Sequence, residues 1–216
     1  MNTLGDIIRN RQLTSSQDRM TSRLNSEGTF YVSDVIKLID VFATHPMQNI
    51  MVWSPLVPLK ANCFLWRVCI GRIPTASALV KRGVTVSSHS CRECVGGLDE
   101  VDHIFAGCSF AKDVLRKIWS WCAINPPNFE SINDIILYAA NWGSCPKKRK
   151  ILLAIVYGCV WSLWRNRNDR IFNQKVGSVA KVVDDILVMV FRWIKNRGRM
   201  GNCNWLVWCC NPLNII

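Results

Sequence analysis

Residues 91–108 read CRECVGGLDEVDHIFAGC and contain the most informative pattern of this 216-residue sequence. Cys91 and Cys94 are separated by two residues, His103 follows after eight more, and Cys108 follows after a further four. Three thiols and one imidazole at such spacing are the donors that zinc takes in tetrahedral structural sites. The pattern predicts a small CCHC zinc knuckle with one structural Zn²⁺. Four protein ligands leave no open coordination position for catalysis.

The spacing within this stretch also predicts local backbone features. His103 and Cys108 are five residues apart, which is about 500° around a regular α-helix. They do not share a face of such a helix, so we expect a break before Cys108, at Gly107. Gly96 and Gly97 follow the first cysteine pair and are expected to let the chain turn sharply.

Two alternatives to this ligand set stay open. The cysteines could be buried thiols and His103 a hydrogen-bonded core histidine, but the stretch is too short to have a core of its own, and zinc would supply the missing folding free energy. His89 lies two residues before Cys91 and competes as a ligand, although we favour His103. Most of the other eight cysteines lie in apolar segments and are interpreted as core thiols. A second site at Cys203, Cys209 and Cys210 has no nearby histidine and is not favoured.

Apolar periodicity around the knuckle predicts a mainly α protein. The predicted helices span residues 33–45, 61–70, 72–83, 110–122, 131–142, 150–172 and 179–195, and the tail 198–216 is expected to hold a short extended segment. The longest apolar run, Ile151–Trp164, has fourteen residues, whereas a membrane span needs about 20. It therefore predicts a buried helix and no membrane partner. Residues 1–28 are polar and predict a flexible lead-in.

The charge balance points to a polyanionic partner. Lys and Arg number 27 against 15 Asp and Glu, giving a net charge of +12 that is greatest in residues 121–216. Such an excess is typical of proteins that contact RNA or DNA phosphates without sequence specificity. The candidate nucleic-acid-binding residues are Lys81, Arg82, Arg92, Lys147, Lys148, Arg149, Lys150, Arg165, Arg167 and Arg170. Each basic run could equally be a solvated surface. Trp161 and Trp164 could stack on bases, but their spacing favours a core role.

An ordered set of residues resembles the zinc-binding domain of reverse transcriptases from plant non-LTR, LINE-type retrotransposons. The set comprises Trp53, Pro58, Lys60, Phe64, Trp66-Arg67, Arg72, Pro74-Thr75, Leu79, Arg82-Gly83, Cys91, Cys94, Glu100, His103, Phe105, Cys108 and Trp119. The resemblance continues beyond this set at Trp161, Trp164, Arg165, Arg167, Asn168 and Phe172, and then at Trp193, Arg197, Trp205 and Trp208. The resemblance covers residues 24–208. It implies the C-terminal segment of such an enzyme, with a zinc-binding domain at 29–124, a helical extension at 125–200 and a tail at 201–216.

This resemblance also implies what the chain should not do. The polymerase motif Tyr/Phe-x-Asp-Asp is absent, and endonuclease and ribonuclease H motifs are not found. Asp184-Asp185 imitates half of that motif but lies in a helical stripe downstream of the knuckle. We therefore expect no enzymatic activity and no small-molecule substrate from this chain.

Three interpretations of function follow. The first is a non-catalytic nucleic-acid-binding accessory module, with a polymerase domain in trans as a further partner. The others are a structural or protein-interaction zinc scaffold, and an inert remnant of a decayed element. No secretory signal is recognised, so a nuclear or cytoplasmic location is expected, and Pro146–Lys150 fits a nuclear-import signal.

Overall fold

The computed structural model describes residues 24–35, 38, 51–198 and 204–215. By contacts the chain divides into two units, residues 1–47 and residues 48–216. In the first unit, residues 32–35 and 38 are helical, and Asn25 Nδ2 donates to Asp34 Oδ2 at 2.8 Å. Most of the predicted lead-in, and the rest of the predicted helix up to Pro46, lie outside the described residues.

Within the described residues, the second unit contains seven α-helices, which confirms the predicted mainly α fold. They are α1 (Leu59–Cys69), α2 (Ala76–Val80), α3 (Ser109–Trp121), α4 (Ile132–Asn141), α5 (Pro146–Phe172), α6 (Val179–Arg197) and α7 (Trp205–Cys210). A π-helix, His103–Gly107, precedes α3, and a 3-10 helix, Pro212–Asn214, follows α7. The described part of the chain has no strand, and its one β-bridge joins Ser90 to Leu98.

Helix α7 corrects the prediction of an extended tail. Asn204 caps it, because its side chain accepts a hydrogen bond from Leu206 N at 2.8 Å. Trp208 lies one turn after Trp205 and is fully buried, and its Nε1 donates to Leu187 O at 3.0 Å. The spacing of three between the tryptophans fits a helical turn, in which the buried ring anchors the segment to α6.

Helix α5 forms the centre of the second unit. Every residue from 151 to 160 is buried, so this part of the helix has no solvent-exposed face. It packs against α1, α4 and α6, which surround it on several sides. The apolar run therefore forms the buried helix that the sequence predicts. No helix in the described residues is both long and apolar enough to cross a membrane.

Helix α6 packs closely on α5 through a stripe of buried side chains. The stripe consists of Val182, Ile186, Val190 and Ile194. At the crossing, a Cβ added to Gly158 of α5 would lie 2.3 Å from Val190 Cγ2. Since Val190 is fully buried and β-branched, it cannot move aside easily. The glycine thus sets how closely the two helices approach.

We expect Gly158→Ala to destabilise the protein, although alanine is the better helix former. The overpacking should cost about 1–3 kcal/mol against a gain of about 1 kcal/mol in helix propensity, for a net loss of about 1 kcal/mol in the free energy of unfolding. Urea denaturation followed by circular dichroism measures the change. In a Val190→Ala background the same substitution should be neutral or stabilising, and an equal loss in both backgrounds would contradict the role assigned to this contact.

Candidate metal centre

The first two cysteines lie on a tight turn closed by backbone hydrogen bonds. Cys91 N donates to Gly97 O at 2.7 Å, next to the Ser90–Leu98 bridge. Inside the turn, Glu93 N donates to Cys91 Sγ at 3.4 Å. Gly96 has a φ of +82°, which L side chains rarely adopt. The sharp turn predicted after Cys94 is thus present and uses this glycine.

Gly97 has a different role from the one predicted. Its backbone is not left-handed, but an added Cβ would lie 2.1 Å from Cε1 and 2.2 Å from Nε2 of His103. No side chain fits in that space while the imidazole occupies it. Gly97 therefore leaves room for the histidine ring beside the cysteine turn.

The second ligand pair is spaced by a π-helical turn. In the π-helix His103–Gly107, the amide of Cys108 donates to His103 O at 2.6 Å, a bond between residues i and i+5. A spacing of five residues, which does not fit an α-helical turn, thus brings His103 and Cys108 together. The predicted break occurs at Cys108 itself, whose backbone is extended (φ −66°, ψ 135°) and which precedes α3.

These turns bring all four predicted ligands together. One donor atom from each of Cys91, Cys94, His103 and Cys108 lies within 4.8 Å of every other. Cys91 Sγ lies 3.8 Å from Cys108 Sγ, and Cys94 Sγ lies 3.1 Å from His103 Nε2. A tetrahedron with Zn–S bonds of about 2.3 Å has a sulfur–sulfur edge of about 3.8 Å. The donor set and its dimensions fit zinc, and His89 is not part of the group.

Cys91 Sγ and Cys108 Sγ are within hydrogen-bonding distance of each other, at 3.8 Å. Hydrogen bonding from Cys108 lowers the pKa of Cys91, and the same hydrogen bond together with burial raises the pKa of Cys108. The backbone amides of Phe110 and Ala111, at the start of α3, act in the opposite direction and lower the pKa of Cys108. Zinc binds cysteine as the thiolate, so metal binding would release protons from these thiols.

Comparison with known families agrees with this geometry. Residues 30–115 match the family model described as zinc-binding in reverse transcriptase. The matched region contains all four ligand residues, and it covers less than half of the chain. No curated protein and no solved structure matches. The family match and the Cys₃His group together support one structural zinc ion in a reverse-transcriptase-type zinc-binding domain. The boundaries at residues 29, 124 and 200 stay predictions.

Acidic side chains attach the zinc-binding region to the helices around it. Glu93, between the first two cysteines, accepts from Arg170 Nη1 and Asn166 Nδ2 of α5, both at 3.0 Å. Burial raises the pKa of Glu93, while the charge of Arg170 acts in the opposite direction. Asp102, just before the π-helix, accepts from Ile132 N at the start of α4 at 3.0 Å.

Asp99 makes the most buried of these connections. Its carboxylate accepts from Ala76 N at 2.6 Å, and it forms a bidentate ion pair with Arg167, whose Nε lies 3.1 Å from Oδ1. Both side chains are less than a tenth exposed. The guanidinium also lies 4.8 Å from the Trp164 ring centroid. The pair joins the zinc-binding region, α2 and α5 at one point.

Sequence reasoning missed Glu93, Asp99 and Asp102 as positioning residues. They are acidic residues within a short stretch that has few large apolar side chains, and the stretch therefore needs polar connections to its neighbours. This composition was the one sequence feature that could have indicated their role. The partners of Glu93 and Asp99 on α5 lie about 70 residues later in the chain, and the partner of Asp102 on α4 lies 30 residues later. No local pattern relates these segments.

The predicted nucleic-acid-binding residues are not all placed alike. Six are exposed: Lys81, Arg82, Arg92, Lys147, Lys150 and Arg165. Arg149 is half-buried and donates to Trp142 O and Gly143 O, and Lys148 is half-buried beside it. Arg170 pairs with Glu93. For Arg167 the structure replaces the predicted phosphate contact with the buried pair to Asp99, so we omit it from the proposed surface.

The predicted core role holds for the two tryptophans and for some of the cysteines. Trp164 is buried, in agreement with a core role, and Trp161 packs edge-on against Phe64 at 5.3 Å. Cys122 and Cys159 are core thiols, and burial raises the pKa of Cys122 to about 12. The core interpretation is wrong for three exposed cysteines, Cys63, Cys209 and Cys210. Cys203 lies outside the described residues, and the described ones contain no second metal-binding group.

Zinc stoichiometry should follow the assigned ligands. We expect native mass spectrometry to find one zinc ion per chain, and Cys94→Ser or His103→Asn to remove it because three ligands hold the ion far more weakly. The controls make the same changes at residues outside the group, Cys63→Ser and His89→Asn, and should keep the ion. Loss of zinc in His89→Asn with retention in His103→Asn would overturn the ligand assignment.

Breaking the buried ion pair should destabilise the whole second unit. Asp99→Asn leaves the Arg167 guanidinium buried without its counter-charge, at an expected cost of about 3–5 kcal/mol in the free energy of unfolding. The matched control is Asp185→Asn, which breaks an exposed pair with Lys181 and should cost less than about 1 kcal/mol. Equal losses in the two variants, measured by urea denaturation, would contradict a structural role for Asp99.

Proposed function

We propose that this chain is the C-terminal, zinc-stabilised segment of a plant LINE-type retrotransposon reverse transcriptase, and that it binds RNA or DNA without catalysing a reaction. A zinc-binding module associated with reverse transcriptase is the coarser statement that the family match supports. The proposed nucleic-acid binding rests on one observation, the set of exposed basic side chains around and beyond the metal centre. The plant LINE-type origin rests on the resemblance of the sequence.

These side chains are free to meet a polyanion. No salt bridge with a residue in the described part of the chain is formed by any of the six: Lys81, Arg82, Arg92, Lys147, Lys150 and Arg165. Arg92 lies between the two cysteines of the turn, so zinc binding would fix its position. Phosphate contacts by such residues provide affinity but carry no sequence information. We therefore propose non-specific binding led by phosphates.

The basic cluster at the start of α5 is unfavourable for the helix that carries it. Lys147, Lys148, Arg149 and Lys150 follow Pro146 in the first turn, which holds no acidic residue. Positive charge at a helix N-terminus opposes the helix dipole, by about 0.3–1 kcal/mol for each exposed residue. Helix stability therefore does not explain the cluster, whereas an anionic partner would. The same cluster supports nuclear import, which makes the nucleus our proposed location.

The zinc ion would act on the fold rather than on a substrate. With three thiolates and one imidazole bound, a tetrahedral ion has no position left for water or a reacting group. Its contribution would be folding free energy and a fixed arrangement of the neighbouring basic side chains. We propose no catalytic residue and no small-molecule substrate.

A second candidate function is a protein-interaction scaffold. Trp53, Leu59 and Trp66, at and near α1, are each about half or more exposed, an unusual state for such large apolar side chains. A polymerase domain in trans is the partner that the reverse-transcriptase context favours. This candidate predicts that Trp66→Ala weakens the protein complex and leaves nucleic-acid affinity unchanged.

Nucleic-acid affinity should depend on salt and on the exposed basic residues. We expect a fluorescein-labelled single-stranded RNA to bind at low salt. The logarithm of the association constant should fall linearly with the logarithm of the salt concentration, with a slope of about −0.7 for each phosphate contact. The triple variant Lys147→Gln/Lys150→Gln/Arg165→Gln should bind more weakly and with a shallower salt slope, both measured by fluorescence anisotropy.

The control for that measurement removes a basic side chain that already has an acidic partner. Lys181→Gln changes the charge by one but lies in the exposed pair with Asp185, so its effect should be small. Undetectable RNA and DNA binding by the zinc-loaded parent at low salt would overturn the nucleic-acid proposal and leave the scaffold or an inert remnant.

A further inference from the structure

A cleft of about 430 Å³ lies beside the metal centre. Its walls come from α1, α2, the segment leading into Cys91, and the C-terminal end of α5. Phe64 and Trp164 line the inner part, while Phe172, the last residue of α5, lines it with a side chain that is 73% exposed. The cleft thus combines an apolar interior with an exposed aromatic ring.

The polar lining of the cleft carries an excess of positive charge. Arg67 and Arg92 line it and are exposed, and neither forms a salt bridge within the described residues. Asp99 is the one acidic residue among those that line the cleft, and its charge is neutralised by Arg167. An anionic ligand would therefore meet two uncompensated guanidinium groups and no free carboxylate.

Aromatic rings beside uncompensated arginines fit a particular polyanion. Proteins that bind single-stranded nucleic acid combine a basic groove for the backbone with aromatic side chains on which unpaired bases stack. A duplex keeps its bases stacked and paired, so it could offer only phosphates to this cleft. An acidic peptide could satisfy the arginines but would leave the exposed Phe172 ring without a planar partner.

We propose that the cleft binds one unpaired base of a single-stranded RNA or DNA. The base stacks on Phe172, and the phosphates on either side of it contact Arg67 and Arg92. This inference rests on the proposed nucleic-acid binding and adds a preference for single strands. It also assigns a binding role to Phe172, which the sequence places at the end of a predicted helix.

The test separates stacking from charge. We expect Phe172→Ala to lower the affinity for a labelled 12-nucleotide single-stranded RNA by about 5- to 150-fold, with an unchanged salt slope, because stacking involves no counterion release. Phe172→Leu keeps an apolar side chain but should recover little affinity. Arg67→Gln/Arg92→Gln should make the salt slope shallower by about 1.4. Binding to the same sequence as a duplex should be insensitive to Phe172→Ala.

Matched controls lie outside the cleft. Leu206→Ala removes an apolar side chain that is 72% exposed on α7, and Arg192→Gln/Arg197→Gln removes two exposed charges from α6. Each should change affinity less than its counterpart in the cleft. Zinc content and circular dichroism of every variant should equal those of the parent, because the substituted residues are exposed.

The outcomes distinguish this inference from the function beneath it. A parent chain that binds no nucleic acid overturns both. A parent that binds RNA with an affinity unaffected by Phe172→Ala overturns the cleft alone and leaves phosphate-led binding intact. Binding of an acidic decapeptide that the cleft variants weaken, with RNA binding unchanged, would assign the cleft to a protein partner instead.

Discussion

The buried ion pair between Asp99 and Arg167 is the interaction on which the arrangement of the second unit depends. It connects the zinc-binding region, which has few large apolar residues, to the central helix α5 and to the start of α2. Both charges are almost completely removed from water, so each needs the other. Glu93 and Asp102 add further connections to α5 and α4. The metal centre is therefore part of the helical core.

Around this connection, two backbone features bring the four ligands together. The turn at Gly96 presents Cys91 and Cys94 on one side, and the π-helical turn presents His103 and Cys108 on the other. Gly97 leaves the space that the imidazole needs. Zinc would link these two segments, and the ion pairs of Glu93 and Asp99 connect the same region to α5. Zinc would also fix the position of Arg92, which lies between the first two cysteines.

Most of the predicted basic residues fall into two groups with different roles. Arg167 and Arg170 face the acidic residues of the zinc-binding region and stabilise the fold, whereas the exposed group carries the excess charge into solvent. Net charge alone could not separate the two groups, since exposed Arg165 and paired Arg167 and Arg170 lie close together on α5. The division narrows the proposed nucleic-acid surface to side chains that a phosphate can reach.

The sequence by itself determined the helical class, the buried helix at residues 151–160 and the four ligands, because apolar periodicity and ligand spacing are local properties of the chain. It did not determine the π-helical turn, since the five-residue spacing predicted only a break at Gly107, and π-helices are rare. Nor did it predict helix α7 in place of an extended tail, because this helix depends on the packing of Trp208 against α6. The partners of Glu93 and Asp99, and the cleft at Phe172, were decided by tertiary structure, because they join segments about 70 residues apart.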